Sequence, residues 1–286
     1  MGFRMGSVEG RAVLAAGDMV YDVGEASGGG VPAEPVEAIV HHLALHELTA
    51  RLGADGSLAA RGLEPLGRCV DVVLGPPVPW PRQVFGVGLN YRTHAEETGM
   101  GIPDAPLVFT KFPGCLSGPT ADIELASTTT DYEAELVVVI GACVKDVPVA
   151  DAWGVVAGLT VGQDISDRAL QNAGARPQFS LGKSHDGYGP TGPFVVSPDL
   201  VADRDDLAVR GAVNGDVRQS DTTANLIFGV AELVSYLSSI LTLYPGDLIF
   251  TGTPSGVGMA TGDFLRPGDA VTTTIEGIGT LTNRCV

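Results

Sequence analysis

The chain has 286 residues, 44% of them hydrophobic and 18% charged, a balance that supports an ample core and excludes intrinsic disorder. Its formal net charge of −17 argues against nucleic acid and anionic lipid as partners, because both need basic patches. In such a field a small anionic substrate would need local cations.

The start, "MGFRMGSVEGR", lacks the apolar core of a signal peptide, and no apolar run approaches the ~20 residues of a membrane span. The four cysteines (Cys69, Cys115, Cys143, Cys285) are far apart with no CxxC, so a reducing cytoplasm is expected in place of a zinc cluster or disulfide framework. "GRAVLAAGDMVYDVG" reads as one or two short strands. Val36, Ile39, Val40, Leu43, Leu48 and Leu52 then fall at helical spacing, with Gly53 as the stop. His41, His42 and His46 lie on this helix without an acidic companion and are expected on a solvated face. "GPPVPWPRQ", residues 75–83, is too rich in proline for helix or interior strand. It is read as the linker between a small α+β N-terminal domain, 1–75, and a larger domain, 76–286.

Beyond it come a strand, "VFGVGLN", and a short helix, "YRTHAEETG", stopped by Gly99. Later segments are mostly β: "LVFTK", "TDYEAELVVVIG", "VVAGLTVGQD", "TGPFVVS" and "LAVRGAVNGDVRQ", the last with Asn214-Gly215 as a hairpin turn. A helix over about 230–241 precedes "DLIFTGTPSGVG", and "GDAVTTTIEGIGTLTN" closes the chain as a hairpin. Strands dominate, so the expected class is α+β, mostly β, with a rolled or sandwiched β architecture.

In "TDYEAELVVVIG" every position from Leu136 to Ile140 is apolar, as in an interior strand buried on both faces. Glu133 and Glu135 would lean to the same face of it, roughly 7 Å apart along the backbone. Two like charges so placed near a core are costly unless one is protonated or a cation lies between them. Asp164, ending the strand "VVAGLTVGQD", can supply a third hard oxygen. Three carboxylates with open positions suit Mg²⁺, Mn²⁺ or Ca²⁺ and disfavour zinc. Arg168 and Gln171 are expected one and two helical turns beyond Asp164, facing the same way, with the arginine suited to a substrate carboxylate. His94 and Glu97, at i and i+3, would share a helical face on which the carboxylate orients the imidazole. Lys183 lies in a glycine-rich loop, and "TGTPSGVG" offers N–H groups and threonine hydroxyls to an anion.

Taken in order, "VGLNYRTHAEETG", "DYEAELVVVIG", "GQDISDRALQ", "GKSHDGYGPTGP" and "DLIFTGTPSGVG" resemble the fumarylacetoacetate hydrolase family, from about Pro76 to the C-terminus. The resemblance implies a mixed β-roll fold, usually in homodimers, with Glu133, Glu135 and Asp164 as ligands of Mg²⁺ or Mn²⁺. It implies His94 and Glu97 as the dyad that activates water and Lys183 as the lysine beside the metal. Arg168, Gln171 and Thr253 match positions that hold the substrate's oxygens. The implied activity is hydrolytic C–C cleavage of an acylpyruvate- or fumarylacetoacetate-like 2,4-dioxo acid. Oxaloacetate-type decarboxylation and hydroxymuconate-type isomerisation in aromatic catabolism are the nearest alternatives, and a silent metal- or ligand-binding module is a further one. Two departures touch substrate choice: His185 stands where an aromatic is common, and the arginine that some family hydrolases place after the dyad helix is absent.

Overall fold

The computed structural model describes residues 2–53, 62–97 and 101–286. Strand outweighs helix, as the α+β, mostly β expectation requires. An eleven-stranded mixed sheet forms the body, and a four-stranded antiparallel sheet covers part of it.

The segment 10–24 forms two strands, Arg11–Ala16 and Met19–Asp22, within the one or two expected, and a further strand, Arg4–Val8, precedes them. The extra strand, RMGSV, has weak strand propensity of its own. It is held by pairing with Arg11–Ala16 on one side and Gly189–Val196 on the other. The large sheet therefore runs without interruption across residue 75, and Phe3, Met5 and Leu14 share a core with Val137, Val139 and Phe250. Residues 75–83 are packed down as well, with Pro77, Val78 and Pro81 buried.

The single helix expected over 36–52 is two, Pro35–Val40 and His42–Leu52, with His41 leaving helical geometry between them. The break shifts the helical phase, so Leu45, Leu48 and Leu52 are buried while Leu43, counted in the apolar stripe, is 72% exposed. His41 is exposed as expected. His42 and His46 are half-buried, with His46 edge-on to the Phe3 ring.

The segment that positions the site is Ala134–Ile140, buried at every residue. It lies between Val156–Gln163 and Leu248–Phe250, antiparallel to both. Its period-2 alternation separates two cores. Leu136, Val138 and Ile140 face the core under the four-stranded sheet and the helix Val230–Ile240, while Val137 and Val139 face the N-terminal helices. Glu133 and Glu135 continue the Val137–Val139 face beyond the apolar packing, so both carboxylates emerge together at the strand's N-terminal end. In the four-stranded sheet, Asn214 (φ 53°) and Gly215 (φ 86°) form the expected tight turn, both in the left-handed region.

Candidate active site

The carboxylates of Glu133, Glu135 and Asp164 converge: each offers an oxygen within 4.8 Å of the others, and all three residues are buried. Asp164 follows the strand Val156–Gln163, and its backbone N–H donates to Glu133 O at 2.9 Å, which fixes the two acids side by side. It does not open a helix. The helix is only Arg168–Gln171, capped by the Asp167 carboxylate, so the expected helical spacing from Asp164 is replaced by a short β segment, Ser166–Asp167. Arg168 and Gln171 still face the same way, and Arg168 Nη1 donates to Gln171 Oε1 at 2.9 Å.

Three cations offset the acids. Lys183 Nζ lies 2.7 Å from both Glu133 Oε2 and Asp164 Oδ2. Arg168 donates from Nη2 to Glu133 Oε1 at 2.6 Å and from Nε to Asp131 Oδ2 at 2.8 Å. Lys111, fully buried, donates to Asp164 Oδ1 at 2.6 Å and to the backbone carbonyls of Lys183 and Tyr188. These are the local cations that the −17 net charge calls for.

The environment divides the acids. Burial pushes the Glu133 carboxyl up, but Lys183 and Arg168 outweigh it and hold the group at about 2. Burial pushes Glu135 well above the usual carboxylate range, and Asp164 and Glu133 reinforce the shift. Glu135 has one hydrogen-bond donor among the described residues, the Gly252 N–H at 2.8 Å. A buried acid without a cation of its own, beside two that are each ion-paired, is the arrangement a divalent cation resolves. The donor set is all oxygen, so the residues fit a hard cation. Glu135 must lose its proton to ligate one. Metal uptake is therefore expected to release a proton and to tighten as pH rises above the ordinary carboxylate range, read by calorimetry in buffers of different ionisation enthalpy. Lys183 is shifted the other way: burial favours loss of its proton, but Asp164 and Glu133 prevail and keep it an ammonium.

On the other side of the chamber, His94 Nδ1 faces Glu97 Oε2 at 3.4 Å. Glu97 also accepts the Gly256 N–H at 3.1 and 3.2 Å, which ties the helix Arg92–Glu97 to the "TGTPSGVG" loop. The expected stop at Gly99 lies outside the described residues. His94, Glu133, Glu135, Arg168, Gln171, Lys183 and Thr253 line one cleft of about 200 Å³. Thr253 Oγ1 donates its only proton to Ala134 O at 3.0 Å and accepts from Gln219 Nε2 at 2.7 Å. It can therefore offer a ligand an acceptor, but not a hydroxyl proton. His185 lies outside this cleft, against Asp167 and the Tyr188 ring.

Sequence reasoning missed three residues. Asp131 clamps Arg168 and also accepts from Gly258 N at 2.6 Å and Met259 N at 2.9 Å. It continues the period-2 series of Glu133 and Glu135, so the signal was present. Gln219, fully buried, accepts from Ala134 N and donates to Thr253 and Pro254, bracing the carboxylate strand against the loop. Nothing in "VRQSD" marks it. Lys111 follows the strand Leu107–Thr110, and only its apolar lead-in hinted at burial. Lys111→Met is expected to destabilise the protein by about 3 kcal/mol in urea unfolding, because one member of a buried ion pair is lost and the other stays buried.

A mostly β fold thus brings converging carboxylates, bound ammonium and guanidinium groups and His94, paired with Glu97, to one cleft with the makings of an acid–base site. The chain belongs to the fumarylacetoacetate hydrolase family: residues 83–286 match its fumarylacetoacetate (FAA) hydrolase C-terminal domain. It is 41% identical over 220 residues to a mitochondrial oxaloacetate tautomerase of Bos taurus, covering 76% of this chain and 70% of that one. It is 39% identical over 251 residues to a 2,4-didehydro-3-deoxy-L-rhamnonate hydrolase of a Sphingomonas strain, covering 86% and 85%. The crystal structure of maleylpyruvate hydrolase from a Sphingobium, in complex with manganese(II) and pyruvate, matches with a TM-score of 0.78 at 28% identity, over 99% of this chain and 98% of that one. Members of the family are thus enzymes of hydrolase and tautomerase type acting on small acids. Among the described residues no helix is long and apolar enough to cross a membrane.

Proposed function

We propose that this protein is a divalent-metal-dependent hydrolase that cleaves a C–C bond in a 2,4-dioxo acid of the acylpyruvate or fumarylacetoacetate type. The observation that carries the reading is that Glu133 and Glu135, which converge with Asp164, line the same cleft as His94, whose Nδ1 faces Glu97. The three carboxylates hold Mg²⁺ or Mn²⁺, as the manganese-bound relative supports. The ion supplies Lewis-acid polarisation of the substrate's oxygens.

Arg168 and Gln171 position the substrate carboxylate. A guanidinium has five N–H donors, and the protein acceptors of Arg168 leave some for a ligand. Thr253 lines the same cleft as an acceptor. His94, with Nδ1 toward Glu97, takes a proton at Nε2 from the water that attacks the distal carbonyl. For an acylpyruvate the C–C bond then breaks, its electron pair leaving as the enolate of pyruvate beside the Lys183 ammonium. Protonation of that enolate at carbon gives pyruvate, and the acyl group leaves as a carboxylic acid, so water is consumed and atoms balance.

The same groups can stabilise an enolate formed by tautomerisation, isomerisation or decarboxylation. The relative named oxaloacetate tautomerase favours that second reading. A scan of 2-oxo and 2,4-dioxo acids with Mg²⁺ and Mn²⁺, with product identification, distinguishes them: acid plus pyruvate supports hydrolysis, whereas an isomer or CO₂ supports the second reading. No turnover by metal-loaded protein would leave a silent binding module. A cytoplasmic homodimer in aromatic catabolism completes the proposal. A clean monomer in sedimentation at micromolar concentration would refute the dimer.

A further inference from the structure

We propose that the outer wall of the cleft is a subsite for an uncharged, apolar tail, so that monocarboxylate 2-oxo and 2,4-dioxo acids are preferred over dicarboxylates. This rests on the proposed reading only in placing the 2-oxo acid end at the carboxylate triad.

The wall is built into the pairing of Val84–Gly88 with Leu107–Thr110. Gly86 lies opposite Phe109, and a Cβ at Gly86 would collide with the Phe109 ring. A Cβ at Gly88 would come within 3.3 Å of Leu107 and 3.6 Å of Phe179. The two glycines thus leave room for these three side chains to lie down over the strand. The Phe109 and Phe179 rings meet edge to face at 5.7 Å. Lys183 Nζ is 5.1 Å from the centre of the Phe109 ring, so the apolar wall begins where the charged end stops. Leu107 and Met259 continue it to the mouth, where they are 42% and 40% exposed.

Charge points the same way. Among the described residues lining the cleft, Arg168 and Lys183 are the guanidinium and ammonium groups, and both are engaged by carboxylates at the triad. Leu107, Phe109, Phe179 and Met259 carry no hydrogen-bond donor, and Asn172, which lines the same cleft, is an uncharged amide that already donates to Arg168 O at 2.9 Å. A second carboxylate there would lose its hydration against aromatic faces without a cation of its own. A saturated or aromatic tail would instead cover Leu107 and the two rings and gain from leaving water. Arg176, exposed on the loop before Pro177, is not among the residues that line the cleft.

Binding of non-cleavable 2-oxo acids to the Mn²⁺-loaded protein, measured by calorimetry, tests the subsite apart from turnover. Across pyruvate, 2-oxobutanoate, 2-oxohexanoate and 2-oxooctanoate, affinity is expected to rise about 3- to 4-fold per methylene. 2-Oxohexanoate is expected to outbind 2-oxoadipate, its counterpart with a terminal carboxylate, by roughly 10-fold or more. Leu107→Arg, at an exposed position on an edge strand, should reverse that preference. A flat series, or 2-oxoadipate binding as well as 2-oxohexanoate, overturns the proposal, and loss of the dicarboxylate's advantage in Arg176→Ala would name the cation responsible. If the series holds while no 2,4-dioxo acid is cleaved, the subsite stands and the hydrolase reading falls. If 2,4-dioxo acids are cleaved while the series is flat, the reverse applies.

Discussion

His94→Gln is expected to lower kcat for 2,4-dioxo acid cleavage by roughly 100- to 10,000-fold, the usual worth of a positioned general base. Glutamine keeps most of the imidazole's volume and some hydrogen bonding, but it cannot take the proton from water. Metal affinity is expected to be nearly unchanged, because the proposed ligands are Glu133, Glu135 and Asp164 and the imidazole is not among them. Glu97→Gln should cost less: an amide oxygen can still receive the Gly256 N–H that Glu97 accepts at 3.1 Å, while orientation and basicity of His94 weaken. Decarboxylation needs no water nucleophile. A His94→Gln variant that loses hydrolysis yet decarboxylates oxaloacetate would therefore assign the two activities to different groups. Wild-type hydrolysis by His94→Gln would sink the dyad. Lys183, the next candidate by chemistry, is poorly suited to replace it, since Asp164 and Glu133 hold its proton.

The parts of this site that were legible in the sequence are those set by backbone periodicity. Glu133 and Glu135 share a face because strands alternate, and the apolar run Leu136–Ile140 announced that the face is buried. The pairing of His94 with Glu97 followed from one helical turn. What could not be read was long-range pairing. Lys111 meets Asp164 across 53 residues and Gln219 meets Ala134 across 85, and neither spacing leaves a local signature. The same limit explains the N-terminal region. Composition at "GPPVPWPRQ" suggested a linker, whereas the pairing of Arg4 and Met5 with Val196 and Val195 makes residues 4–22 part of the same sheet as the site. The break at His41 is a further case: local propensity favours one helix over 36–52, and packing decides which residues turn inward.

Glu135→Ala is expected to abolish metal-dependent turnover without unfolding the protein. The wild-type carboxyl is buried beside Asp164 and Glu133, which with burial itself keep its proton on. With that proton on, removing the group relieves little charge repulsion in the metal-free protein, and it leaves the Gly252 N–H without an acceptor, at a cost of about 1–3 kcal/mol. Glu135→Gln separates the two effects. Its amide oxygen can still accept from Gly252, and its volume matches, so urea unfolding of the metal-free variant should stay close to wild type. Neither variant offers a carboxylate to a cation. Changes one shell out from a metal typically cost 10- to 100-fold in affinity, so loss of a ligand should exceed roughly 100-fold for Mg²⁺ or Mn²⁺. The proton released on metal uptake by the wild type should disappear with Glu135, and with it the part of the pH dependence that Glu135 supplies. Calorimetry showing unchanged affinity and unchanged proton release in Glu135→Gln would remove Glu135 from the ligand set and leave Glu133 and Asp164, each already bonded to Lys183, as an ion-pair network in place of a metal site.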